Sequence, residues 1–169
     1  SLSLSLSLSL MGNNLYLSSM LFLLSIVHYC FTACLGMPLN INTDQHALLA
    51  LKTHIKHDPK NLLASNWTAT TSVCSWVGVS CNVRHRRVSA LRLPSLSLFG
   101  TIPPHIGNLS FLVKLDLSNN SFEGNLPPTI GHLRRLEYIN LRYNDFGGVI
   151  PTSFGTLSGL KNLLLDINT

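Results

Sequence analysis

The feature that most constrains this chain is a self-similarity of period 24 in its second half. Val88, Leu112, Leu136 and Leu160 open four successive segments: VSALRLPSLSLFGTIPPHIGNLSF, LVKLDLSNNSFEGNLPPTIGHLRR, LEYINLRYNDFGGVIPTSFGTLSG and the shorter LKNLLLDINT. One such unit is too short to bury its own apolar face. It does so only by stacking on its neighbours, which selects a solenoid over a closed globular core.

Each recurring position has a physical task. Leu91/Leu93, Leu115/Leu117, Ile139/Leu141 and Leu163/Leu165 alternate at period two, the signature of a short strand with one face inward. Asn120, Asn144 and Asn168 share a register, where an amide bonds the backbone of adjacent turns. Leu96 stands there in the first segment, a departure expected from contact with whatever covers that end. Phe99, Phe122 and Phe146 are expected to fill the interior, Phe99 one place late. Gly100, Gly124 and Gly148 suit a backbone conformation denied to residues with a Cβ.

Ile102-Pro103, Leu126-Pro127 and Ile150-Pro151 follow, then Ile106, Ile130 and Phe154, and Leu109, Leu133 and Leu157 complete each turn. The resulting pattern, LxxLxLxxNxFxGxIPxxxGxLxx, closely resembles the plant-specific leucine-rich repeat. The resemblance implies an α/β leucine-rich-repeat solenoid, a right-handed superhelix with a concave parallel β-sheet and a convex side of short helical or 3-10 turns. It divides the chain into repeats at 88–111, 112–135 and 136–159 and a truncated fourth at 160–169. The chain stops just past the Asn of that fourth repeat, and we expect it to be a fragment of a longer protein.

Ahead of the repeats, residues 43–59 read as one helix. Thr43 or Asp44 supplies an N-cap, Ala47, Leu48, Leu51 and Ile55 recur on one face, and Pro59 ends it with Asp58 already pushed out of helical geometry. Leu62, Leu63 and Trp67 lead into Cys74-Ser-Trp-Val-Gly-Val-Ser-Cys81. The cysteine pair with His85 invites a metal reading, but a zinc site usually brings two close ligand pairs. A disulfide in an oxidising compartment is the better reading, and closing so short a loop contributes about 2–3 kcal/mol. Helix, Trp67 and cysteine segment together, residues 43–82, resemble the N-terminal cap of plant leucine-rich-repeat receptors, in which such a pair is disulfide-bonded and the helix covers the first repeat.

No Asp, Glu, Lys or Arg precedes Asp44. Residues 1–10 repeat Ser-Leu five times before Met11, as a translated dinucleotide repeat would, and read as a leader. Residues 11–36 carry the apolar run LYLSSMLFLLSIVHYCFTACL, which suits a secretory signal peptide, with an uncleaved signal anchor as the alternative. The rest of the chain is then expected in the secretory pathway, at the outer face of the plasma membrane or in the cell wall.

The formal net charge is +5, with clusters at Arg84, Arg86, Arg87 and at Arg134, Arg135. Two short clusters do not make the stripe that nucleic-acid binding requires, and we expect them to be solvated surface. The glycines follow the repeat period, not a nucleotide-binding spacing. His85-Arg86-Arg87 is no kinase catalytic loop, and the histidines lack paired spacing. The expectation is a binding module without catalysis, cofactor or metal.

In such a solenoid the outward strand residues are free to bind. The columns are Ala90, Lys114, Tyr138, Asn162; Arg92, Asp116, Asn140, Leu164; Pro94, Ser118, Arg142, Asp166; and Ser95, Asn119, Tyr143, Ile167. Arg92, Asp116, Tyr138, Asn140, Arg142 and Tyr143 are the candidate ligand contacts, because aromatic and Arg side chains dominate interface hot spots. Sequons at Asn66, Asn108 and Asn119 are candidate glycan sites. The resemblance implies the ectodomain of a plant receptor-like serine/threonine kinase in pattern recognition and defence. It implies a peptide or protein ligand, a possible leucine-rich-repeat co-receptor, and a membrane span beyond this chain. A receptor-like protein without kinase, a secreted polygalacturonase-inhibitor-like protein and an extensin-linked wall scaffold share the same first half.

Overall fold

A computed structural model describes residues 20, 22, 24, 25 and 40–168. The expected leader at 1–10 lies outside the described residues, as does nearly all of the expected signal segment at 11–36. Met20, Phe22, Leu24 and Ser25, in a separate unit of residues 1–38, are helical and exposed. The cap and the repeats make up a second unit, from residue 39 onward.

Helix α1 runs Ile41–His54, displaced toward the N-terminus from the expected 43–59. Its N-cap is Asn40, whose side chain accepts from the Asn42 and Thr43 amides, while the Thr43 hydroxyl accepts from the Asn40 amide at 2.9 Å. Asn40 therefore satisfies the first-turn donors and leaves Asp44 for another task. The helix stops well before Pro59. Ile55 and its neighbours leave it as strand β1 (Ile55–His57), antiparallel to β4 (Phe99–Gly100). The Asp58 carboxylate then accepts from the amides of Leu62, Leu63 and Ala64, capping the short helix α2 (Leu62–Asn66).

Two sheets follow. One has the order β2 (Val79–Cys81), β3 (Val88–Arg92), β5 (Lys114–Asp116), β7 (Tyr138–Asn140), β9 (Asn162–Leu164). The other has β1, β4, β6 (Ser121–Asn125), β8 (Asp145–Gly147). Within the repeats every pairing is parallel, at a spacing of 24 residues in the first sheet, as in Leu91 with Leu115 and Leu115 with Ile139, and of 22 in the second, as in Gly100 with Phe122 and Gly124 with Phe146. The first strand of each sheet comes from the cap and is antiparallel. The cap thus closes one edge of each sheet. The second sheet was not foreseen in the sequence. Turns of 3-10 helix at Pro104–Asn108, Pro128–His132 and Thr152–Thr156 form the opposite side, and α1 packs against the first of them.

The inward leucines and Ile139 are fully buried through Leu141. Leu163 is 39% exposed, because no strand pairs β9 on its far side among the described residues. Leu98, in register with Phe122, fills the first repeat's interior, and Phe99 is only half-buried beneath the Lys56 ammonium. The expectation for Phe99 therefore fails by one residue.

The asparagine ladder explains Leu96. Asn120 Nδ2 donates to the carbonyls of Leu93, Leu117 and Ser118, and its Oδ1 accepts from the amides of Leu96 and Leu98. Asn144 and Asn168 repeat the arrangement, accepting from the amides of Phe122 and Phe146. Each Asn serves its own turn and the one before. The first repeat is preceded by an antiparallel strand with no matching turn, so Leu96 replaces an amide that would have no task there.

The glycines differ as well. Gly124 and Gly148 have φ of 80° and 77°, the left-handed region that favours glycine. Gly100 has no such φ. A Cβ there would lie 2.2 Å from the His54 carbonyl oxygen, so its reason is the close approach of β1.

In the cap, Cys74 and Cys81 are joined in a disulfide, which removes their sulfurs from any metal site with His85. Trp67 and Trp76 stack at 5.4 Å and are nearly or wholly buried. Their ring N–H groups donate to the Val77 carbonyl and the Thr71 hydroxyl, as buried tryptophans require. Arg87 is not solvated. It is 6% exposed and donates through Nε and Nη2 to the two carboxylate oxygens of the fully buried Asp44, which also accepts the Val88 amide. One carboxylate thereby ties α1 to the first repeat.

Candidate ligand-binding surface

The outward residues of β3, β5, β7 and β9 form four columns. Two follow directly from strand pairing: Ala90, Lys114, Tyr138, Asn162 and Arg92, Asp116, Asn140, Leu164. The first departs from expectation at Ala90, which is buried because β2 lies alongside it through Ser80. Arg92 and Lys114 are exposed, and Tyr138 is half-buried.

Asp116 and Asn140 share more than a register. Asp116 Oδ1 accepts from the amide and hydroxyl of Ser118, and Asn140 Oδ1 accepts from the amide of Arg142. Each side chain shapes the turn after its strand, as Asx residues do. One oxygen of each therefore has a structural task, a role that the spacing alone did not disclose.

The next column carries the strain. Ser95, Asn119, Tyr143 and Ile167 all adopt positive φ, between 55° and 59°. Asn tolerates this; Tyr and Ile, which lack a short polar side chain to compensate, do so at a cost. The conformation leads the chain on to the ladder Asn, and Tyr143 is 52% exposed.

Arg142 and Asp166 form an ion pair between adjacent repeats. The hydrogen bond from Arg142 holds the Asp166 carboxyl below the usual carboxylate range. The bond to Asp166 likewise raises the already high Arg142 pKa, and Tyr143 and Tyr138 lie close enough to add to that rise. A shallow depression of about 380 Å³ is lined by Ser118, Asn119, Asn140, Arg142 and Tyr143. It gathers three of the six candidate contacts. Arg92, Asp116 and Tyr138 do not line it. Ser118 joins it unforeseen, although its place in the Arg142 column was visible in the repeat register.

The three sequons lie in different settings. Asn66 is half-buried, its Oδ1 accepting from the Val77 amide. Asn108 is exposed at the end of a 3-10 turn. Asn119 is exposed, lines the depression, and donates to the Ser95 hydroxyl at 3.0 Å.

Among the described residues no group of three His, Cys, Asp or Glu could hold a metal ion, and no helix is long and apolar enough to cross a membrane. What the surface offers is hydrogen bonding, charge and exposed aromatic area. That is a chemistry of recognition.

Comparison with known proteins agrees with this architecture. Residues 41–82 match the leucine rich repeat N-terminal domain family, and residues 111–133 and 135–157 match the Leucine Rich Repeat family. A putative receptor-like protein kinase of Arabidopsis thaliana is 38% identical over 105 residues, which cover 62% of this chain and 10% of that protein. The chain thus spans about a tenth of the length of the curated relatives it matches. The crystal structure of the BIR3–SERK2 complex from Arabidopsis thaliana contains a chain similar at a TM-score of 0.65 and 35% identity, covering 73% of this chain and 68% of that one. The plant peptide hormone receptor RGFR1, solved in complex with RGF2, is similar at a TM-score of 0.50 and 38% identity, covering 56% of this chain and 18% of that one.

Proposed function

This chain belongs to the leucine-rich-repeat family of plant receptor-kinase ectodomains, and from that premise we propose that it recognises a peptide or protein ligand outside the cell. The leucine-rich-repeat fold is itself non-catalytic. The rest of the protein would supply a membrane span and a serine/threonine kinase, and the ectodomain would sit at the outer face of the plasma membrane in defence signalling. A second leucine-rich-repeat ectodomain would join as co-receptor, in keeping with a solved relative that is a complex of BIR3 with SERK2. The peptide hormone receptor among the similar structures supports a peptide ligand for this chain.

The observation that carries the reading is the depression beside Arg142 and Tyr143, with an aromatic ring held outward by a strained backbone. Ligand contact would run from it along Asn140 and Tyr138, with Arg92 and Asp116 at the cap end. The same reading keeps 43–82 as the cap, 88–111, 112–135 and 136–159 as whole repeats, 160–169 as part of a fourth, and 11–36 as the secretory signal. Glycans would sit on Asn108 and Asn66; one on Asn119, which lines the depression, would argue against ligand contact there.

The test is a binding screen of secreted plant peptides against the full-length receptor on a cell surface. A hit that binds the wild type and loses about tenfold or more in affinity with Tyr138→Ala/Arg142→Ala supports the site. Equal binding by both proteins would move the site away from these repeats.

A further inference from the structure

Arg87, Phe111 and Arg135 occupy one register, 24 residues apart, on the side from which the chain enters each strand of the five-stranded sheet. The guanidinium carbons of Arg87 and Arg135 lie 4.8 Å and 4.1 Å from the centre of the Phe111 ring. They come from the turns on either side, so they cover opposite faces. The His85 ring lies 5.1 Å away, tilted. Asn40, Ile41, His85, Arg86, Arg87 and Phe111 line an open groove of about 650 Å³ at this place.

The charge here is unbalanced. Arg87 is neutralised by Asp44, and Arg134 donates only to the Thr156 carbonyl. Glu137, two residues past Arg135, is committed to Lys161. Arg84, Arg86 and Arg135 are exposed and have no acidic partner among the described residues. The loop that carries the first two is ordered: Asn82 Oδ1 accepts from the Arg84 and His85 amides, and the Asn82 carbonyl accepts from the Arg86 amide. At its tip Val83 is 96% exposed.

We propose that this groove docks an extended acidic segment of a partner protein, with carboxylates on Arg86 in its lining and on Arg84 and Arg135 beside it, and an apolar side chain against Ile41 and the neighbouring Val83. Guanidinium forks match carboxylates in pairs. The apolar residues beside them favour a peptide over an acidic polysaccharide, which has no side chain to use them. Both faces of Phe111 are already covered, so no sugar ring stacks there. A membrane surface fits poorly, because one exposed valine is too little to insert. This surface lies apart from the concave columns and stands or falls independently of them.

The full chain, secreted from a eukaryotic host, is titrated with a fluorescein-labelled Glu-rich peptide containing Leu, followed by anisotropy. Wild type should bind, and more weakly as salt rises. Arg86→Glu should lose about tenfold, whereas Lys60→Glu, the same change in charge on an exposed cap residue outside the groove, should lose less than about twofold. Arg84→Glu, also on the exposed loop, repeats the test should Arg86→Glu perturb folding. Equal losses from Arg86→Glu and Lys60→Glu would overturn the proposal, as would binding of polygalacturonate or phosphatidylserine vesicles with none of the peptide.

Discussion

The cap and the repeats reach the same end, a buried apolar interior with paired backbone, by opposite means. In the repeats one solution recurs every 24 residues: inward leucines, a shared amide ladder, a 3-10 turn. In the cap nothing recurs. A disulfide, a pair of stacked tryptophans, a buried ion pair and two antiparallel strands each occur once. The lesson is one of redundancy. Damage to a repeat falls on one copy of a shared device, whereas damage to the cap removes a contact with no substitute.

The sharpest way to break that contrast is Asp44→Ala. It strands a buried guanidinium and the Val88 amide, and should cost about 3–5 kcal/mol, read as a fall in the denaturant midpoint. Asp44→Leu/Arg87→Met should recover much of it, which distinguishes an orphaned charge from lost packing. If Asp44→Ala is nearly neutral, the cap is not the irreplaceable region. Next comes Cys74→Ser/Cys81→Ser, expected to cost about 2–3 kcal/mol by freeing a short loop.

Asn144→Ala tests the other side. It orphans the buried Phe122 amide and takes one of two amide donors from the carbonyls of Leu117 and Leu141, which keep Asn120 and Asn168, and should cost about 1–3 kcal/mol. Amide exchange should quicken only in the second and third repeats, leaving cap protection unchanged; a global loss would contradict the modular picture. Smaller still is Tyr143→Asn, which relieves a left-handed conformation at φ 56°. It should stabilise by about 0.5–1 kcal/mol while weakening any ligand that uses the Tyr143 ring. A gain in stability with no loss of binding would remove Tyr143 from the site.

The smallest effect is a pH slope at Arg142–Asp166. The Asp166 carboxyl is held below its unfolded value by Arg142. Its stabilisation is therefore present above the unfolded carboxylate pKa, near about 4, and lost as pH falls through the lower folded value. The Arg142 shift lies far above this window and does not contribute to it. Melting curves of wild type and Asp166→Asn should separate above the unfolded carboxylate pKa, about 4, and converge as pH falls through the lower folded value.

The same contrast decides what could be read without a structure. Inward and outward residues of β3, β5 and β7 were legible because each repeat's neighbour is a copy of itself, so one register fixes all contacts. The disulfide partners were legible through resemblance. The Asp44–Arg87 pair was not, because two single residues 43 apart carry no period, and Asp44 sits where a capping residue would. Phe111 was invisible for a different reason: its partners Arg87 and Arg135 share its 24-residue register, but that register carries no consensus residue. In the candidate site the column positions were legible. The turn-shaping bonds of Asp116 and Asn140 and the strain at Tyr143 were not, since both depend on local backbone angles.

The asparagine ladder also has a direction in time. Asn120 completes the turn before it, Asn144 completes the turn of Asn120, and Asn168 that of Asn144. On a ribosome, which delivers the chain from its N-terminus, the amides of a newly made turn wait on a side chain not yet synthesised. Finished structure therefore trails the growing end by about one period, and the cap, needing the residues through Gly100 and Ser110 for its own contacts, is the first part to wait.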